Sequence, residues 1–138
     1  MIWLVNDDRL RLQKYNPILQ EVIIDTDLSY YIEGDVEIKS LLEHNNRLYM
    51  QQHQEILIFD FMGNFLSKLP LEVYGSFSLH HDGLFFLQGE KLAKYHLGKM
   101  EMREVGIKFR DDLTHILSSN DSHYLFSGKK LIVFRKIL

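Results

Sequence analysis

The chain has 138 residues, 46% hydrophobic and 12% aromatic, enough apolar material to bury a core and to exclude a disordered tail. Sixteen Lys and Arg stand against nineteen Asp and Glu, with no long basic run, so a nucleic-acid surface is not expected. Without cysteine there is no disulfide frame, thiolate nucleophile or sulfur-ligated metal, and either redox compartment is compatible.

The chain opens on five apolar residues and then meets Asn6-Asp7-Asp8, without the charged start or the apolar length of a secretory leader. No window reaches the roughly 18 apolar residues of a membrane span. If the chain is a piece of a longer protein, a periplasmic or secreted setting fits it. Residues 2–5, 10–15 and 19–24 read as three short strands. The longest connection, 25–35, follows; it holds Tyr30-Tyr31 and is expected to pack against the protein.

Residues 37–42 then read as a strand closed by the polar turn 43–46, and 47–50 as a strand running into a second polar turn, 51–54. Strand 56–59 is followed by the break Met62-Gly63-Asn64 and by strand 65–69. The order recurs with strands 76–79, 84–87, 91–95 and 100–105, and again with 113–117, 123–126 and 131–134. Gly and Asn at the breaks reach positive φ cheaply, which tight strand connections need.

Each group carries an apolar segment ending in an aromatic: Tyr15, Phe59, Tyr95 and Phe134, spaced by 44, 36 and 39 residues. That is the period of a fold with one four-stranded sheet per repeat. The third and fourth copies align without a gap from Phe86 to Tyr95 and from Leu125 to Phe134. Residues 56–59 and 131–134 are apolar without alternation, which predicts burial of these strands on both faces. Residues 100–105 alternate, as an outer strand with one wet face should.

Ile58-Phe59-Asp60 followed by Met62-Gly63-Asn64-Phe65-Leu66 resembles a blade of NHL- or TolB-type β-propellers. Nearly the whole chain is similar to the uncharacterised six-bladed propeller-like proteins of Bacteroidetes. The aromatic-Asp pair stands only in the second unit, the others having Asn16, His96 and Arg135. The resemblance implies an all-β, β-propeller-like repeat of four-stranded antiparallel blades, and no catalytic set, since this fold hosts many functions. The expected organisation is one partial propeller domain, 1–138, with blade units near 1–34, 35–71, 72–108 and 109–138. Its roughly fourteen strands make two full blades and two partial ones, an incomplete ring. Such ends expose apolar faces and strand edges, which predicts either self-association into a homo-oligomer or a missing remainder of a longer propeller.

Chemistry is sparse. Adjacent His80 and His81 would point to opposite faces of a strand, so no shared metal is expected. His44 and His81 occupy corresponding turns, and no zinc-ligand spacing is present. Asp25-Thr26-Asp27 and Asp111-Asp112 lack the ligand spacing and glycine of a calcium loop, and Asn120-Asp121-Ser122, a glycosylation sequon, reads as a turn. No cofactor is expected. Trp3, Tyr30, Tyr31 and Tyr74 are aromatics that fill seams or anchor a partner. The leading reading is a non-enzymatic interaction module that binds protein, itself included. The alternatives are an enzyme or ligand-binding protein with a site at the propeller axis, and an inactive fragment. For the axis, the first strands supply Glu37, Lys39, Ser76, Ser78, Thr114 and His115.

Overall fold

The computed structural model describes residues 1–34, 37–108 and 113–135. Its strands form four antiparallel sheets, one for each repeat. The first sheet holds β1 (Ile2–Asn6), β2 (Arg11–Asn16) and β3 (Glu21–Asp27), in that order. The second holds β4 (Ile38–His44), β5 (Arg47–Gln52), β6 (Glu55–Asp60) and β7 (Phe65–Leu69). The third holds β8 (Tyr74–His80), β9 (Gly83–Gln88), β10 (Lys91–His96) and β11 (Glu101–Lys108). The fourth holds β12 (His115–Ser118), β13 (Ser122–Phe126) and β14 (Leu131–Arg135). The chain divides into two compact units, Met1–Leu71 with the first two sheets and Glu72–Leu138 with the last two. Among the described residues no helix is long and apolar enough to cross a bilayer.

Strand pairing makes the repeat physical. Phe59 faces Leu48, Tyr95 faces Leu84 and Phe134 faces His123, each partner eleven residues upstream of its aromatic. Tyr15 faces Ile2, thirteen residues upstream, because the first hairpin has a longer connection. Hairpins close in two residues where the turn chemistry allows it. Asn45 and Asn46, at φ 49° and 59°, form a turn with both central residues left-handed, as the twist of flanking strands favours.

In the first unit, Leu12, Leu28, Leu48, Met50, Leu57 and Phe59 form a core shared by the first and second sheets. The connection after β3 contributes to it through a 3-10 turn, Leu28–Tyr30, whose start is capped by Asp27 Oδ1 accepting from Ser29 N at 2.9 Å. Leu28 is fully buried, and Tyr31 stacks on Phe65 with ring centroids 4.4 Å apart. Tyr30 is exposed, its ring edge-on to that of Tyr31 with centroids 6.4 Å apart. In the second unit, Phe85, Leu87, Leu92, Ile116 and Leu125 form the core between the third and fourth sheets.

Three expectations are corrected. Gln51 and Gln52 are not turn residues but the buried end of β5, and the turn is only His53-Gln54, with Gln54 at φ 57°. Ser40 Oγ donates to Gln51 Oε1 at 2.8 Å, which lets that amide be buried. The first strand of the last repeat begins at His115, not Leu113. Finally, β6 is buried on both faces as its sequence predicts, but β14 is not. Its residues alternate, with Leu131, Val133 and Arg135 exposed, because no sheet among the described residues covers that face.

Candidate functional site

The six predicted axis residues fall into two groups. Glu37 and Lys39 belong to the first unit and are exposed, Glu37 lying 3.8 Å from His53 Nδ1. Lys39 lines a groove of about 350 Å³ between β1 and β4, with Trp3, Val5 and Ile38. In the second unit Ser76, Ser78, Thr114 and His115 come together because β12 lies against β8. Ser76 Oγ accepts from Ile116 N at 3.1 Å, and Ser78 Oγ accepts from Ser118 N at 2.9 Å. Ser76 N donates to the Thr114 carbonyl at 2.8 Å. Those serine oxygens therefore seam two first strands together, satisfying backbone donors that strand pairing leaves over. Thr114 Oγ1 is 2.7 Å from His115 Nδ1, on the exposed side.

A second gathering of polar groups lies at one turn of the second unit. Asn120 Oδ1 is 2.8 Å from His80 Nε2 and 2.9 Å from His81 Nε2, so both rings donate to one amide oxygen. This overturns the expectation that the two histidines point apart. His81 stands at φ 50°, and the left-handed turn swings its ring to the side of His80, with centroids 4.2 Å apart. Asp82, Gly83, Phe85, Lys94 and His96 line the same groove of about 250 Å³. Among the described residues no three His, Asp or Glu side chains converge as metal ligands.

The acidic motifs have local partners. Arg11 Nε lies 3.0 Å from Asp25 Oδ1 and its Nη1 3.5 Å from Asp27 Oδ2. The hydrogen bond from Arg11 holds the Asp25 carboxyl below its ordinary range, and the Ser29 hydroxyl and N–H do the same for Asp27. Asp111 and Asp112 lie outside the described residues. Ser119 Oγ donates to Asp121 Oδ1 at 3.1 Å, so 119–122 is a turn knit by its own side chains. Tyr74 is exposed and donates its hydroxyl to Glu72 at 3.0 Å.

Sequence reasoning missed two buried polar residues. Lys14 is only 8% exposed, its Nζ 5.0 Å from the Trp3 ring and 4.5 Å from the Phe61 ring. Lys94 holds the equivalent position in the third repeat, 5.5 Å from the ring of Phe85. A lysine twice at one repeat position, each opposite an aromatic across the pair, was the available signal. His123 is buried, with its Nδ1 2.8 Å from Ser118 Oγ and its ring against Phe85.

Among the described residues, two sheet faces carry exposed apolar side chains. Trp3 and Val5 of β1 turn inward, which leaves Ile2 47% and Leu4 45% exposed, beside the half-buried Tyr15 and the exposed Val22. On the last sheet Ile132 and Phe134 turn inward, while Leu131 is 56% and Val133 48% exposed. Cross-strand pairing adds Tyr124 opposite Val133, Phe126 opposite Leu131, and exposed Leu117 opposite Tyr124. Each terminal sheet thus presents a contiguous apolar face.

No protein-family model matches the chain, and no curated protein matches it. Solved structures do, and they include β-propellers. BamB from Moraxella catarrhalis superposes with a TM-score of 0.62 at 12% identity, over 92% of this chain and 42% of that one. The extracellular domain of BT4673 from B. thetaiotaomicron gives 0.56 at 14% identity, over 96% of this chain and 20% of that one. Kluyveromyces lactis Hsv2, with loop 6CD replaced by a Gly-Ser linker, gives 0.53 at 14% identity, over 96% and 47%. The chain therefore spans less than half the length of each, and at these identities the likeness is one of fold.

Proposed function

We propose that this chain of β-propeller-like fold is a non-enzymatic protein-interaction module that associates with itself through the open faces of its terminal sheets. One observation carries the reading. β6 (Ile56-Leu57-Ile58-Phe59) and β14 (Leu131-Ile132-Val133-Phe134) hold the same repeat position and the same unbroken apolar run. The first is buried on both faces, and the second leaves Leu131 and Val133 half exposed. A residue pattern suited to two-sided burial, with one side open, is what an interface looks like in the separated chain. Within propellers, Asp60 at the aromatic-Asp position and Gly63 in the following turn support an NHL- or TolB-like placement.

Covering a half-exposed Leu, Ile or Val is worth about 1 kcal/mol, so the handful on each face supports association in the micromolar range or weaker. Sedimentation equilibrium of the purified chain tests this. A weight-average mass that climbs from one chain mass to twice that value or beyond across the micromolar range is the expected result. A single-chain mass throughout that range, with a cooperative melt, defeats the proposal.

A further inference from the structure

We infer that the surface received by the last sheet is the first sheet of a second copy, joined head to tail; this rests on the self-association proposed above and gives it a direction. The molecule displays the required seam twice. Between the first and second sheets, the earlier sheet contributes Trp3, Val5 and Leu12, and the later contributes Leu48, Met50 and Leu57. Between the third and fourth, the earlier contributes Phe85, Leu87 and Leu92, and the later contributes Ile116, Leu125 and Ile132. Each seam joins the forward face of one repeat to the rear face of the next.

The repeat spacing identifies which halves stay open. Thirty-nine residues beyond Phe85, Leu87 and Leu92 stand Tyr124, Phe126 and Leu131, so the open face of the last sheet is a forward face. On the first sheet, Leu4 stands where Leu125 stands in the fourth repeat, and Tyr15 where Phe134 does. Its open face is therefore a rear face. The open forward face of the last sheet and the open rear face of the first are, among the described residues, the two halves of one such seam.

Charge selects the same pairing. Residues 1–34 hold six acidic and three basic side chains, whereas 113–135 hold one acidic and three basic ones. By net charge, joining two first repeats or two last repeats brings like against like, while first to last brings a net acidic repeat to a net basic one. The contact is heterologous, made from two different patches.

Two single substitutions, each on one open face, test the direction. Val133→Glu blocks the last sheet and Leu4→Glu the first, and both sites are exposed, so unchanged circular dichroism and melting are required of each variant. Each variant alone is expected to stay at the single-chain mass where the wild type associates. Mixed in equal amounts, they should recover a species of twice the chain mass holding one of each, because each still offers the face the other lacks. If either variant alone still associates as the wild type does, or the mixture stays at single-chain mass while the wild type associates, the head-to-tail pairing is overturned. If the wild type itself never associates, the reading beneath it fails instead.

Discussion

Asp60 shows why an aspartate ends the central strand of the second repeat. Its Oδ1 accepts from Met62 N at 2.9 Å and from Asn64 N at 2.8 Å, and its Oδ2 accepts from Asn64 Nδ2 at 3.0 Å. The turn into β7 is thus wound around one carboxylate, and the Asn64 backbone donor, followed by its side chain, holds the Asp60 carboxyl below its ordinary range. A carboxyl lowered by folding stabilises the native state above its unfolded pKa, and that stability is lost as pH falls through the folded value. Asp60→Ala is therefore expected to lower the melting temperature at neutral pH, with a deficit that shrinks on acidification; melts recorded down the acid limb check it. Gly63 in the same turn stands at φ 82°, and a Cβ there would lie 2.7 Å from Ile24 Cγ2 and from Thr26 Oγ1. Gly63→Ala should cost about 1–3 kcal/mol in urea unfolding, from left-handed strain and from pressing on β3.

At the scale of elements, one strand pattern has two outcomes. Leu57 of β6 is completely buried, so Leu57→Ala should cost about 2–5 kcal/mol. Val133→Ala, at the same central strand of the last repeat, should cost less than about 1 kcal/mol in the separated chain, since half of that side chain is already in water. Equal losses would mean that β14 is covered in solution even at high dilution. The seam between β8 and β12 behaves differently, because it is polar. Ser78→Ala strands the buried N–H of Ser118, which should cost about 1–3 kcal/mol, whereas Ser78→Thr keeps the acceptor and should recover part of it; denaturant midpoints separate the two.

For the whole molecule, the two terminal sheets differ in charge as well as in face. Contacts steered by opposite exposed charges weaken as salt screens them, while apolar contacts do not. Self-association should therefore weaken between low and physiological ionic strength and then level off, read as the apparent dissociation constant by sedimentation. A purely apolar contact would show no initial loss. Arg135→Glu, on the open face of the last sheet, should weaken association at low salt and leave the melting temperature of the separated chain nearly unchanged.

The period of the aromatic-ended strand, the turn residues at the breaks and the unbroken apolar runs were enough to read one antiparallel sheet per repeat from the sequence. These features are local, since hydrophobic period and turn chemistry act within a few residues of themselves. The candidate site was less legible. Ser76 and Ser78 are first-strand serines in any reading, but only the approach of β12 shows their oxygens joined to its backbone. His80 and His81 alternate on paper, and one left-handed residue at the turn brings their rings together. β14 carries the same apolar run as β6, and which of its faces is covered depends on which sheets are present to cover it. The repeat is written in local pattern, whereas which strand faces are covered is set by packing, because burial belongs to pairs of sheets and not to a strand alone.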